Sequence, residues 1–384
     1  MAGGPVRVGF LTYGLDRPLS GVSRVALELG RELLRRDDVE VVFLTPYRTG
    51  PFVGEPGVRR QHLPGCRLLP GLMLLGGPLI ARLARRLRLD LVHDPIGVSP
   101  FTLGRWAGRF RRLVTLHDAI AFEYPQGYPL LNNLLHRTYV PATLGNVDAV
   151  ATDSEHARAA LVRYLGLRPD RVPVIPLGVD AGRFRPVAPD AARAAAARYG
   201  LTGPYVLYVG AYQARKNILG LIEAFTRVRR AQPGLRLALA GPSLWAYPAL
   251  RERVDALPPQ AVHVLGYVAE PDLPALYSAA SVYVLPSLYE GFGIPVLEAM
   301  ACGTPVVCST ASSLPEVAGD AALLVDPNDP GAIAAAILRA ATDRDLAEDL
   351  RRRGLARARG FTWERTAGGY AALYRALAGH QAQP

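Results

Sequence analysis

Leu285–Val307 reads LPSLYEGFGIPVLEAMACGTPVV, the most informative segment of the chain. An apolar run, Val282–Pro286, ends in a loop holding Glu290. Gly291-Phe292-Gly293 follows, and a helix is expected from Pro295 to Ala301. Proline suits a first helical turn, where its missing N–H is not needed. Glycines let backbone N–H groups approach a ligand at the positive end of the helix. After Ala301 a second apolar run, Pro305–Cys308, begins, so strand, helix and strand follow within two dozen residues. This is the unit of a parallel sheet, and it repeats along the chain.

On either side of it the second half offers strands Tyr205–Val209, Leu235–Ala240, Val262–Leu265 and Ala322–Val325, with helices Ile218–Arg230, Asp272–Ala280 and Gly331–Ala341. The first half offers strands Val6–Thr12, Val39–Thr45, Leu89–His93, Leu113–Leu116, Ala149–Thr152 and Val172–Pro176, with helices Gly21–Arg36 and Glu155–Leu165. The alternation breaks near 178–199, where Pro186 and Pro189 punctuate a polar run. The expected class is therefore α/β, with two doubly wound Rossmann-like domains facing a cleft at their carboxyl strand edges. The expected domains are 1–185, 186–360 and a last helix, 361–384, returning to the first domain. No internal repeat stands out.

The 384 residues include 44 basic and 33 acidic ones, a net charge of +11 that favours phosphate-rich partners. Arginine carries nearly all of it, because Lys216 is the single lysine. Three cysteines, Cys66, Cys302 and Cys308, are too few and too irregular for a disulfide framework or a zinc site, and are expected as small buried hydrophobes. No run approaches the ~18–20 apolar residues of a spanning helix, and no secretory leader is legible, so a cytoplasmic protein is expected. Leu68–Leu89, LLPGLMLLGGPLIARLARRLRL, is apolar and then basic. A sheet-covering helix is the favoured reading. A segment lying on the inner face of a membrane, near a lipid-linked acceptor, is the other.

Glu290 and Glu298 place one carboxylate on the loop and a second in the expected first turn of the helix. There Glu298 also complements the helix dipole, worth about 0.3–1 kcal/mol. A nucleotide sugar offers two diol-like groups, the sugar hydroxyls and the ribose, that such carboxylates hold. Arg215-Lys216 lies between a strand and a helix N-terminus, a favourable place for a diphosphate. Fixed cations there would stabilise a departing nucleoside diphosphate without a metal. Asp343-Arg344-Asp345 has the form of a metal-binding DxD but follows a polar helix, so it is expected as exposed helix-end charge. His117 ends a strand of the first half. Ser20-Gly21-Val22-Ser23-Arg24 opens its first helix without the glycine spacing of a dinucleotide fold.

The Glu290–x7–Glu298 pair, the surrounding EGFGIPVLEAMACGTPVV, the downstream SSLPEV and the run GDAALLVDP resemble the retaining GT-B glycosyltransferases of family GT4, bacterial mannosyltransferase-like members in particular. The resemblance covers most of the chain and is densest over Val206–Pro327. It implies catalytic roles for Glu290, His117, Arg215 and Lys216. It implies a donor site of Gly21, Arg215, Lys216, Tyr267, Glu290, Gly291, Phe292, Gly293, Ile294 and Glu298. In it Glu290 contacts sugar hydroxyls, Glu298 the ribose, and His117 the donor sugar, often through its backbone carbonyl. The base lies near Leu265–Val268, where the Tyr267 side chain is expected only to pack. Gly178-Val179-Asp180 through Phe184 is implied as a structural hinge, and Trp363 as an anchor. The implied reaction is metal-independent hexosyl transfer from GDP-mannose, or from UDP-glucose, to a glycan or lipid-linked acceptor, with no cofactor and no nucleic-acid partner. Two alternatives stand beside it: a GT-B epimerase or phosphorylase, and a nucleotide-sugar-binding protein without catalysis. The single lysine, already assigned to the diphosphate, counts against a phosphorylase.

Overall fold

A computed structural model describes residues 4–16, 20–101, 110–127, 130–241 and 247–379. The chain divides into two compact units, Met1–Leu177 with Trp363–Pro384, and Gly178–Thr362.

In the first unit six parallel strands, β1 (Val6–Leu11), β2 (Val39–Thr45), β3 (Arg60–His62), β4 (Leu91–Asp94), β5 (Arg111–Thr115) and β6 (Ala149–Ala151), stand in the order β3-β2-β1-β4-β5-β6. Successive side chains of a strand point to opposite faces. Val42 and Leu44 therefore join Ile80, Leu83, Val92 and Val114 in one apolar layer, beneath helix Leu69–Leu87. Phe43 and Val41 join Phe10, Leu33, Tyr370 and Tyr374 in the layer on the other face. The strands are apolar runs because helices cover both faces of the sheet.

The last helix, Trp363–Gly379, completes this second layer. Tyr374 Oη lies 2.8 Å from His93 Nδ1, His93 Nε2 lies 2.8 Å from Thr115 Oγ1, and Tyr370 Oη lies 2.8 Å from the same threonine. Burial, with the neighbouring His117, drives the His93 pKa down to about 3, so this histidine is a neutral member of the core. Trp363 is buried at the start of the helix.

One strand expectation needs correction, and one strand was not expected. Val172–Pro176 supplies a single bridge, Val174 with Thr152, because Pro173 and Pro176 have no N–H to give a ladder. Conversely, the polar triplet Arg60–His62 forms an edge strand on β2, with no apolar pattern to announce it.

The second unit holds β7 (Tyr205–Val209), β8 (Arg236–Ala240), β9 (Val262–Gly266), β10 (Val282–Leu285), β11 (Val306–Ser309) and β12 (Leu323–Val325), all parallel, in the order β12-β11-β10-β7-β8-β9. Taken from its first strand this is the arrangement of the first unit. In each, the chain winds one way from the first strand and then the other way from the fourth. Ligands of such sheets bind outside the carboxyl ends of the two strands where the winding reverses. Here those are β1 and β4, and β7 and β10. Among the described residues, no helix is long and apolar enough to cross a membrane.

Candidate functional site

The loops leaving β7 and β10 meet in the second unit. Beyond β7, Ala214–Lys216 forms a tight helical turn, and Asn217, left-handed at φ 54°, starts helix Ile218–Ala231. The Leu288 N–H donates to the Arg215 carbonyl at 2.7 Å, tying this turn to the loop after β10. Glu290 lies on that loop with its carboxylate filled. Oε1 accepts from Lys216 Nζ at 2.5 Å and from Ser287 Oγ at 2.6 Å, and Oε2 accepts from Arg215 Nη1 at 2.9 Å.

Glu290 and Lys216 are 6% and 8% exposed, so a bulk-water picture of the pair does not apply. Burial alone would raise the Glu290 pKa, but Lys216 and Arg215 overcome it and hold the carboxyl below its ordinary value. Burial lowers the Lys216 pKa and Arg215 adds to that, while Glu290 opposes both. One carboxylate thus faces two cations, leaving the cluster with positive charge in excess.

Serines fix the backbone here. Ser312 Oγ accepts from the Glu290 N–H at 2.9 Å, and Ser313 Oγ lies 2.9 Å from the carbonyls of both Glu290 and Phe292. Ser309 Oγ donates to the Ser287 carbonyl at 2.6 Å. Ser312 is itself left-handed, at φ 54°, a conformation a non-glycine residue keeps only when its surroundings enforce it.

Gly291, Phe292, Gly293 and Ile294 lead from Glu290 into the helix. Phe292 is buried edge-on against Phe361 at 6.0 Å, so its side chain packs and its backbone faces the loop. Gly293 has φ 112° and caps helix Ile294–Ala301; a Cβ there would sit 2.6 Å from Leu314 Cδ2. The helix starts one residue before Pro295, which places Glu298 in its second turn. That corrects the dipole argument, because the effect falls off within the first turn. Glu298 is instead buried on a separate contact: its Oε2 accepts from Tyr277 Oη at 3.0 Å. Tyr277, on helix Leu273–Ala279, packs edge-on to Phe184 and Tyr283.

Tyr267 follows Gly266 at the end of β9 and is 81% exposed, so the expectation that its ring packs is corrected. Asp343 stands exposed at a helix end as expected: it closes helix Pro330–Thr342, and its Oδ1 accepts from the Leu346 N–H at 3.0 Å to cap the start of helix Arg344–Ala358. Among the described residues, no three His, Cys, Asp or Glu side chains are grouped to hold a metal ion. Cys66, Cys302 and Cys308 are buried and free, and burial pushes the latter two thiols up to about 12.

Gly21 and His117 belong to the first unit. Gly21 opens helix Gly21–Leu34 after Ser20, whose Oγ accepts from the Ser23 N–H, and nothing lies within 4 Å of where a Gly21 Cβ would be. His117 lies two residues beyond β5 with both ring nitrogens engaged. Nε2 donates to the Pro95 carbonyl at 2.9 Å, and Nδ1 lies 2.6 Å from Asp153 Oδ2. Burial alone would lower its pKa, but the Asp153 carboxylate raises it to about 9. Burial also raises the Asp153 pKa, against the pull of His117. With Nε2 donating to a carbonyl and Nδ1 held by the Asp153 carboxyl, neither ring nitrogen keeps a free lone pair for a base. Asp153 is fully buried, and its Oδ1 has no hydrogen-bond partner among the described residues.

Of the expected residues, Glu290, Arg215 and Lys216 form one cluster, with Gly291–Ile294 continuing from it. Glu298 belongs to a second network. Ser287, Ser312, Ser313, Tyr277 and Asp153 were not anticipated. The SSLPEV stretch held the only visible trace of two of them.

Residues 19–183 match the family described as Glycosyltransferase Family 4, and residues 195–357 match Glycosyl transferases group 1. The chain is 33% identical, over 94% of its length, to the O-antigen chain mannosyltransferase B of Escherichia coli, 97% of which is covered. Among solved structures it resembles sucrose-phosphate synthase from Thermosynechococcus elongatus, at 26% identity and a TM-score of 0.77, over 98% of this chain and 100% of that one. It also resembles the Anabaena protein HepE in complex with UDP and glucose, at 19% identity and a TM-score of 0.75, over 97% of this chain and 100% of that one. The chain belongs to glycosyltransferase family 4, and is a hexosyltransferase of GT-B fold that uses a nucleotide-sugar donor.

Proposed function

We propose that this enzyme transfers mannose from GDP-mannose, with UDP-glucose the second candidate donor, to a glycan or lipid-linked acceptor, with retention at the sugar carbon and without a metal ion. The observation that carries the proposal is the Arg215–Glu290–Lys216 cluster at the reversal point of the second sheet. Arg215 and Lys216 take the donor diphosphate and stabilise the charge that develops as it leaves, a preorganised electrostatic effect that is usually the largest catalytic term. Their ion pairs with Glu290 fix these cations before substrate arrives, so little reorganisation accompanies the reaction.

Glu290 orients the sugar. A carboxylate held between two cations, with its pKa depressed, is a weak nucleophile but a good acceptor for hydroxyl groups. Glu298 takes the ribose, the backbone of Gly291–Ile294 serves sugar and phosphate, and Tyr267 lies beside the base. In the first unit, Gly21 and the main chain at His117 serve phosphate and sugar. The His117 ring, committed to Asp153 and Pro95, supports a positioning role for that residue rather than proton transfer. The donor preference is supported by the mannosyltransferase relative over almost the whole chain.

The test is a thermal-shift screen of nucleotide sugars with and without EDTA, followed by product analysis. GDP-mannose is expected to stabilise the protein by about 2.7 kcal/mol at a hundredfold excess over Kd, unchanged by EDTA. Stabilisation that needs a divalent ion, or an epimerised donor as product, would overturn the proposal.

A further inference from the structure

Helix Leu69–Leu87 has a buried face and a second face of unusual composition. Leu72, Gly76, Ile80, Leu83 and Ala84 enter the core. On the opposite side Leu74 and Leu75 are 63% and 50% exposed, and Leu68, just before the helix, is 65% exposed. Arg82, Arg85 and Arg86 continue the same stripe in steps of three and four residues, all exposed.

The surrounding charge is one-sided. Between Glu55 and Asp90 the chain carries seven arginines (59, 60, 67, 82, 85, 86 and 88), all exposed, and no acidic residue. Several exposed arginines elsewhere pair locally, as in Arg35–Glu32, Arg168–Asp170, Arg193–Asp190 and Arg352–Asp349. Within this stretch Arg59 alone pairs with an acid, Glu40, among the described residues. Arg86 donates to the neutral Gln61. The positive charge is left for something outside the chain.

From this we infer that the outer face of helix Leu69–Leu87 docks on an anionic lipid bilayer. Nucleic acid would use the arginines and leave the leucines in water. A bilayer uses both, taking apolar side chains into the acyl boundary and arginines onto its headgroups. Leu74 and Arg86 are about 18 Å apart along the axis at ~1.5 Å per residue, so the helix lies in the interface with its leucine end deeper. The helix runs back to the start of β4 and so opposes the strands. Its leucine end therefore lies at the carboxyl edge of the first sheet, the edge where β1 and β5 lead to Gly21 and His117. That orientation brings this edge to the membrane surface, where a lipid-linked acceptor would be presented.

The inference does not depend on the donor assignment, and its test is separate. The full chain is mixed with vesicles of phosphatidylcholine, or of phosphatidylcholine with roughly one third phosphatidylglycerol, and cosedimentation is measured at low and high salt. Binding is expected on the anionic vesicles only, and weaker at high salt. The triple variant Arg82→Gln, Arg85→Gln, Arg86→Gln should bind about a hundredfold more weakly, at about fivefold per arginine. Leu74→Ser with Leu75→Ser should also weaken binding, with the charge unchanged. Both sets of changes are at exposed positions and should melt like the parent protein. Equal binding to neutral vesicles, no binding to either, or variants that bind like the parent would overturn the inference. So would a dimer in gel filtration that the leucine changes dissolve, because that assigns the face to a second copy of the chain.

Discussion

Each unit buries an ion pair beyond the carboxyl end of its sheet, and the two pairs are built for different ends. In the first, His117 meets Asp153 one to one, and its second nitrogen is spent on the Pro95 carbonyl. No cation is in excess and no ring donor is spare. In the second, Glu290 meets both Arg215 and Lys216. Those two groups carry eight N–H donors between them, far more than one carboxylate can take. The first pair closes a loop onto its sheet. The second holds a surplus of positive charge and donors around Glu290, their internal partner, and it is this surplus that the proposed diphosphate would take up.

The largest effect should come from breaking the second pair on its cationic side. Lys216→Ala is expected to lower kcat/KM by roughly 10²–10³, the scale of removing one preorganised donor. It should also destabilise the protein by about 3–5 kcal/mol, because it leaves a buried carboxylate short of a partner. Steady-state kinetics and melting read the two effects. Breaking the same pair on its anionic side should separate catalysis from binding. Glu290→Gln is expected to cost a similar factor in kcat while nucleoside diphosphate binds as tightly as before, or several-fold tighter, since the competing charge is gone. Calorimetric titration of the diphosphate decides this. Equal weakening by both variants would mean that Glu290 does not compete for the cations.

The contrast also marks what the sequence made legible. Glu290, Arg215 and Lys216 stand in glycine-bearing loops between an apolar run and a helix, so their place at a sheet edge followed from local pattern alone. Their partners did not. Ser312 and Tyr277 reach the site from other elements, Ser287 stands three residues before Glu290 on the same loop, and serine and tyrosine are too common for spacing to single them out. Asp153 lies 36 residues from His117 and reaches it only because β5 and β6 are neighbours. Local geometry set the remaining errors: the helix begins at Ile294 because Gly293 can take φ 112°, and the prolines at 173 and 176 empty an apolar run of ladder donors. The edge strand Arg60–His62 had no hydrophobic period to read.

A smaller effect should come from the network behind Glu298. Tyr277 is a positioning residue, because its hydroxyl holds a carboxylate assigned to the ribose. Tyr277→Phe removes a hydrogen bond to a charged group, worth about 1.5–3 kcal/mol. It should raise KM for the donor roughly ten- to hundredfold with little change in kcat. A purely structural role would not change selectivity, so the deciding measurement compares ribose and deoxyribose donors. The variant should discriminate between them less than the parent enzyme does. Undiminished discrimination would separate Tyr277 from ribose recognition.

The smallest effect tests the first pair through pH. The His117 pKa is raised from 6.5 to about 9 in the folded chain, so the proton it holds stabilises that state. This contribution is complete below about pH 6.5 and is lost as pH rises through about 9. The Glu290 pKa is depressed, so its contribution is present above the ordinary value of 4.5 and is lost as pH falls through the lowered one. The two pairs should therefore fail on opposite sides of neutrality, the first in alkali and the second in acid. His117→Gln keeps a side chain able to hydrogen-bond but not to titrate. It should flatten the alkaline decline in Tm, at about 2–4 °C for each kcal/mol removed, and leave the acid limb unchanged. An alkaline decline as steep as the parent's would show that another group titrates there, and that the His117–Asp153 contact contributes packing rather than charge.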